Sequence, residues 1–150
     1  MSIQIVHSDR HEDAKWIHDN LYEYNLRKTG EERVEIILEP DAERNTLLAV
    51  RENGVRLGGC CWHIRKEDHF VFVDFLWMSD AARGTGCGSA LLQTVENEAK
   101  NAGCCGVSLG TNTFQAPGFY QKMGYTVIQE EKRPMKNCPE NIHYVFRKTF

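Results

Sequence analysis

The sequence predicts a single α/β (α+β) domain over residues 1–150, built on a mixed, mostly antiparallel sheet flanked by helices. Three observations predict it. An apolar run rich in β-branched and aromatic residues, Phe70–Met78, ends in a glycine loop that opens directly into a helical pattern. Asn53-Gly54, flanked by apolar segments, signals a hairpin just upstream of that run. One helix separates the run from the next apolar strand, residues 106–109, so these two strands should be parallel to each other.

Taken in order, Ile3, Ile5 and Val6 mark a short first strand. Asp9 with Glu12 three residues on reads as a capping box, and Ala14, Ile17, Leu21 and Tyr24 follow at helical spacing, predicting a helix over 10–28 stopped near Gly30. Residues 34–38 read equally as a strand or an irregular apolar stretch, ended by Pro40. Strands are expected over 46–51 and 55–64, joined by Asn53-Gly54; Gly58-Gly59 inside the second suggests a bulge or a close backbone approach. Residues 66–68 turn the chain into the strand Phe70–Met78. From Ser89, Leu91, Leu92, Val95, Ala99 and Ala102 form one stripe, with Glu96, Asn97, Glu98 and Lys100 assigned to water and Gly103 as the stop. Pro117 suits the first turn of a short helix closed by Gly124. Residues 125–129 and 143–149 make a final hairpin around a polar insert.

Composition narrows the function. Hydrophobic residues at 41% and charged ones at 26% belong to an ordinary globular protein, and a formal net charge of −3 gives no electrostatic footprint for nucleic acid. Six cysteines include the neighbours Cys60-Cys61 and Cys104-Cys105, but no C-x-x-C occurs, so neither zinc nor another metal is expected. Strand alternation would put one thiol of each pair in the core, and reduced, structural cysteines of a cytoplasmic protein are the expectation. No stretch approaches the ~20 apolar residues of a membrane span.

The glycine loop, Arg83-Gly84-Thr85-Gly86-Cys87-Gly88, turns backbone N–H groups toward one point at the positive end of a helix, a geometry that suits a phosphate. The P-loop pattern fails because no lysine follows these glycines. The dinucleotide fingerprint meets Ser89 in place of its third glycine. What remains is Arg-x-x-Gly-x-Gly, spelled Arg83, Gly86, Gly88, which resembles the pyrophosphate-binding motif A of the GNAT superfamily, the acyl-coenzyme A-dependent N-acetyltransferases. Downstream, Ala116-x-x-Phe119-Tyr120-x-Lys122-x-Gly124-Tyr125 is similar to the family's motif B, with Thr113 where the family usually has Asn and Asn112 beside it. The resemblance spans roughly residues 45 to 150.

The resemblance implies the GNAT acyltransferase fold, acetyl-coenzyme A as cosubstrate, and a sheet split into a V between the strand ending at Met78 and residues 106–109. Pantetheine would lie along the backbone of Leu76, Trp77 and Met78 as an added strand. The diphosphate would sit on the amides of Arg83, Gly84, Thr85, Gly86, Cys87 and Gly88, with Ser89 adding to the hold. Asn112, Phe119 and Lys122 of motif B complete the expected cofactor contacts. A backbone N–H near Trp77 or Met78, where the family strand carries a bulge, would polarise the thioester carbonyl.

Tyr120 is the expected general acid: a phenol with an ordinary pKa of about 10 is protonated at neutral pH and can donate to a thiolate of about 8.5. Asp74, the one charge in an apolar strand, needs a partner or a wet cleft. Strand alternation places it on one face with Phe72 and Leu76. It could accept the amine proton through water, bind the substrate ammonium, or pair with His63 on the neighbouring strand or with an arginine. His63, His69 and His143 read as ordinary sheet or turn residues. The first helix, with Trp16, Tyr22, Tyr24 and Asn25, would wall the acceptor pocket together with residues 29–45 and the insert 130–141, or simply fill the core. The expected reaction is acetyl transfer to a primary amine, of a small molecule or else of a protein, by direct attack in a ternary complex. A non-catalytic acyl-coenzyme A sensor and a nucleotide-binding loop are the rival readings, and a homodimer stays open.

Overall fold

The computed structural model describes residues 2–32 and 44–150; the segment 34–38 lies outside the described residues. Among these, β1 (Ile3–Ser8), β2 (Asn45–Arg51), β3 (Arg56–Arg65), β4 (Phe70–Met78), β5 (Gly106–Asn112), β6 (Thr126–Lys132) and β7 (Ile142–Thr149) form one sheet in the order β1-β2-β3-β4-β5-β7-β6. Every neighbouring pair is antiparallel except β4 and β5, which run parallel as their helical connection requires.

Helices cover both faces. Helix α1 (His11–Thr29) lays Ala14, Ile17 and Leu21 against Leu48, Cys61 and Phe75. Helix α2 (Cys87–Asn101) sets Leu91, Leu92, Val95 and Ala99 against Val71, Val73 and Val107 on the other face. Helix α3 (Pro117–Lys122), with Pro117 in its first turn, adds Tyr120 to that second cluster. No helix among the described residues is long and apolar enough to cross a membrane.

Helix α1 stops where expected, at Gly30 in the left-handed region (φ 70°), whose N–H closes on Leu26 O at 2.8 Å. Its start differs. The predicted capping box at Asp9 does not form, because β1 runs on to Ser8 and the N-cap residue is Arg10. Ser8 serves the turn instead: its hydroxyl accepts from Arg10 N at 3.2 Å and donates to Asp13 at 2.6 Å.

The paired glycines of β3 are close approaches, as read. A Cβ on Gly58 would collide with Trp77 O, and one on Gly59 would meet Leu47 O at 2.5 Å and Ile17 Cδ1 at 2.6 Å, so Gly59 lets α1 rest directly on the sheet. The ladder between β2 and β3 also slips by a residue beside Gly58.

Three expectations from the residue pattern fail. Glu96 does not face water: it is buried on α2, accepting from the Tyr125 hydroxyl at 3.0 Å and from Lys148 Nζ at 2.9 Å. Ala102 is exposed beyond the end of α2. Cys60 and Cys61 are both fully buried, because β3 is covered on both faces and alternation sends one thiol into each cluster; all six cysteines are free.

Candidate active site

The site begins with one extra residue. Along the β3–β4 ladder Cys61 faces Phe75 and Trp62 faces Val73, leaving Asp74 unpaired as a bulge. Alternation reverses there. Val71 and Val73 share a cluster with Leu76 and Met78, whereas Phe75 and Trp77 belong to the opposite, α1 side. Parallel pairing with β5 ends at the same place, on Val73 and Leu109, after which Gly110, Thr111 and Asn112 pair only with β7. The bulge therefore coincides with the parting of β4 from β5. Beyond it the free edge of β4, through Leu76, Trp77 and Met78, lines a cavity of about 910 Å³. The bulge expected near Trp77 or Met78 thus lies at Asp74, and Phe72 and Leu76 fall on opposite faces.

At one end of the cavity stands the glycine loop. A 3-10 turn, Asp80–Ala82, leads into Gly84 (φ 73°) and Gly86 (φ 77°), left-handed positions that favour glycine. Two of the six expected amides are spent inside the loop: Arg83 N donates to Asp80 O and Thr85 N to Ala82 O, each at 3.2 Å. The Thr85 side chain turns to Ala82 O as well and does not line the cavity. Ala90 N closes on Gly86 O at 3.0 Å to begin α2. This leaves the N–H groups of Gly84, Gly86, Cys87, Gly88 and Ser89 without a backbone partner among the described residues, all from residues that line the cavity. The donor set and the positive end of α2 fit a diphosphate. Arg83 pairs with Asp80 at 3.3 Å, both largely exposed. Cys87 is buried under the loop, and burial pushes its thiol up.

Tyr120 lines the cavity from α3 at 9% exposure, its ring against Phe119 (5.1 Å between centroids), Phe146 (6.0 Å) and Tyr125 (6.2 Å). Burial, and secondarily the neighbouring Cys60, push the phenol above its ordinary value. Asp74 lines the cavity and also accepts its strand-to-strand partner: Oδ2 lies 2.9 Å from His63 Nδ1. Burial raises this carboxyl above the usual range, while His63 and Arg44 pull it back. Phe119 lines the cavity, its ring placed so that a Cβ on Gly88 would meet it at 3.4 Å.

Lys122 is exposed and lies outside the cavity lining. Asn112 lines the cavity but is already engaged, donating to Gln115 Oε1 and accepting from Asn141 Nδ2 at 3.1 Å.

Sequence reasoning offered Tyr24, Asn25 and the 130–141 insert as pocket wall, but not Leu21 or Gln115, and read His143 as an ordinary sheet or turn residue. Leu21, Tyr24 and Asn25 of α1 line the cavity together with Gln115, Arg133 and His143, and Gln115 lies directly against Asn25. The β6–β7 insert is held against the end of α1 by Asn137 N to Thr29 O (2.9 Å), Lys136 N to Glu31 Oε2 (3.2 Å) and Cys138 Sγ to Lys28 O (3.2 Å). His143 sits over Gly110, where a Cβ would meet its ring at 3.0 Å. The missing side chain at Gly110 was the only local signal for it.

The model of the acetyltransferase (GNAT) family matches residues 11–125. A blasticidin-S acetyltransferase of Streptomyces morookaense is 42% identical over 78 residues, 51% of this chain and 56% of that one, so the chain spans little more than half of this relative's length. An acetyltransferase of Agrobacterium fabrum is 31% identical over 119 residues, 78% of each chain. The yncA structure from Salmonella typhimurium, solved with its cofactor acetyl-coenzyme A, has a TM-score of 0.73 at 18% identity, covering 99% of this chain and 94% of that one, a likeness of fold.

Proposed function

The chain belongs to the acetyltransferase (GNAT) family, and we propose that it moves the acetyl group of acetyl-coenzyme A onto a primary amine of a small molecule, by direct attack with both substrates bound. The observation that carries this reading is the parting of β4 from β5 at Asp74, which joins a row of open amides at one end of the cavity to a buried phenol on its wall. Acetyl-coenzyme A, when bound, supplies an activated thioester. The amides of Gly84, Gly86, Cys87, Gly88 and Ser89 suit its diphosphate, and the unpaired edge of β4 suits its pantetheine.

Tyr120 keeps its proton across the working range of pH, since burial disfavours the phenolate, and so holds a proton for the departing sulfur. Asp74, raised by burial yet bonded to His63, is suited to take the proton released by the amine, directly or through water. The blasticidin-S acetyltransferase named above supports a small-molecule acceptor, and the absence of a strong electrostatic field in a chain of net charge −3 agrees with it. Release of free coenzyme A thiol across a panel of small amines tests the reading. It predicts amine-dependent release with intersecting initial-velocity lines. Parallel lines would refute direct attack, and tight cofactor binding without release would make the protein a sensor.

A further inference from the structure

On the cavity wall reached from the α1 side, one carboxamide has its orientation dictated by its neighbours. The backbone N–H of Asn112 can only donate, and it donates to Gln115 Oε1 at 2.9 Å; the same oxygen takes the Thr111 hydroxyl at 3.2 Å. Gln115 must therefore present Nε2 to Asn25, whose Oδ1 accepts at 3.0 Å. That turns Asn25 Nδ2 out of the network. Asn25 is 3% exposed and lines the cavity, and among the described residues its Nδ2 meets no acceptor. The atom is not sealed inside the protein, so its N–H groups open on the cavity. Water can satisfy this donor in the open cavity, but a ligand that displaces the water without offering an acceptor leaves it unpaired at a cost.

The face it comes from says which ligand. Helix α1 packs with Phe75 and Trp77, whereas α2 and its glycine loop pack with Leu76 and Met78 on the other side of the sheet. Asn25 thus enters the cavity from the face opposite the loop. The donor is neutral, and the cavity's arginines are engaged elsewhere, Arg83 with Asp80 and Arg133 with Glu131. A neutral donor without a free cation beside it suits a carbonyl oxygen better than a carboxylate.

We propose that Asn25 is a specificity residue for the acceptor, and that the acceptor carries a neutral carbonyl oxygen, as in an amide, urea or lactam, in the same molecule as its amine. This rests on the acetyl-transfer reading above. The acceptor amine is presented to the thioester while Asn25 Nδ2 holds the carbonyl. Amines without that oxygen leave the donor unpaired and are discriminated against.

The test compares ω-amino amides with ω-aminoalkanes of equal length, at equal concentration of neutral amine, by thiol release from acetyl-coenzyme A. It is run on the unmodified protein and on Asn25→Asp, which keeps an oxygen for Gln115 but turns a carboxylate oxygen to the cavity. The expected result is a preference for the amides of about tenfold or more in kcat/KM, lost or inverted in Asn25→Asp, with KM for acetyl-coenzyme A unmoved. Equal kcat/KM for the two series on the unmodified protein overturns the inference and leaves acetyl transfer standing, whether or not the variant folds. A raised KM for acetyl-coenzyme A in Asn25→Asp with amide preference intact also overturns it, by assigning the donor to the cosubstrate. No release with any amine overturns the acetyl-transfer reading itself.

Discussion

Replacing Tyr120 with phenylalanine deletes one oxygen and separates chemistry from stability. The ring keeps its contacts with Phe119, Tyr125 and Phe146, and among the described residues the hydroxyl has no hydrogen-bond partner to lose. Stability should therefore change by less than about 1 kcal/mol, a shift in melting temperature of no more than about 4 °C for a chain of this size. The loss of a general acid, in contrast, costs about 10²- to 10⁴-fold in rate, or roughly 3 to 5 kcal/mol of barrier. The assay is kcat by thiol release with saturating amine, alongside a thermal melt. Because burial lifts the phenol above its ordinary 10.0, the wild-type profile should rise with amine deprotonation and show no alkaline fall below that value. A kcat within about threefold of wild type would refute the acid role of Tyr120.

The loop, the core and the far wall each give a further expectation. Gly86→Ala puts a side chain at φ 77°, where an L-residue costs about 1–2 kcal/mol, and should weaken acetyl-coenzyme A binding by roughly tenfold in calorimetry; Gly103→Ala, with the same φ but away from the cavity, should cost stability alone. Glu96→Ala strips the Tyr125 hydroxyl and Lys148 of their buried carboxylate and should lower stability by roughly 3 kcal/mol in urea titration. Burial, then Arg133, hold His143 below the ordinary imidazole value against the opposing pull of Glu131, so the unfolded chain takes up this proton first as pH falls. Its contribution is complete above pH 6.5, the unfolded value, and is lost as pH drops toward the folded one. Urea midpoints should fall more steeply with acid in wild type than in His143→Gln.

Much of the fold was legible because the signals were local. A continuous β-branched and aromatic run gives way to helical spacing across Ser79 and the glycines, and Asn53-Gly54 can hardly be anything but a tight turn. Asp74 stood out as a charge in an apolar run, and the His63 pairing was among its readings. The bulge itself was hidden. Val73 and Phe75 are equally buried, at 4% each, so a strand covered on both faces leaves no alternation in which a reversal could be seen. Glu96 looked like a solvated residue because the residues that keep it inside, Tyr125 and Lys148, come 29 and 52 positions later. Asn25 and Gln115, 90 positions apart, were invisible as a pair for the same reason. Lys122 matched a motif letter, but a motif does not say which way a six-residue helix turns its side chains.

Titration of acetyl-coenzyme A into the protein, in parallel with S-acetylpantetheine, most directly tests the claim that loop amides and a parted sheet edge together bind the cosubstrate. Saturable heat with one equivalent of the former, and affinity for the latter weaker by about a hundredfold or more, is the expected result for a site anchored on a diphosphate. Equal affinities would contradict it, as would no heat from either.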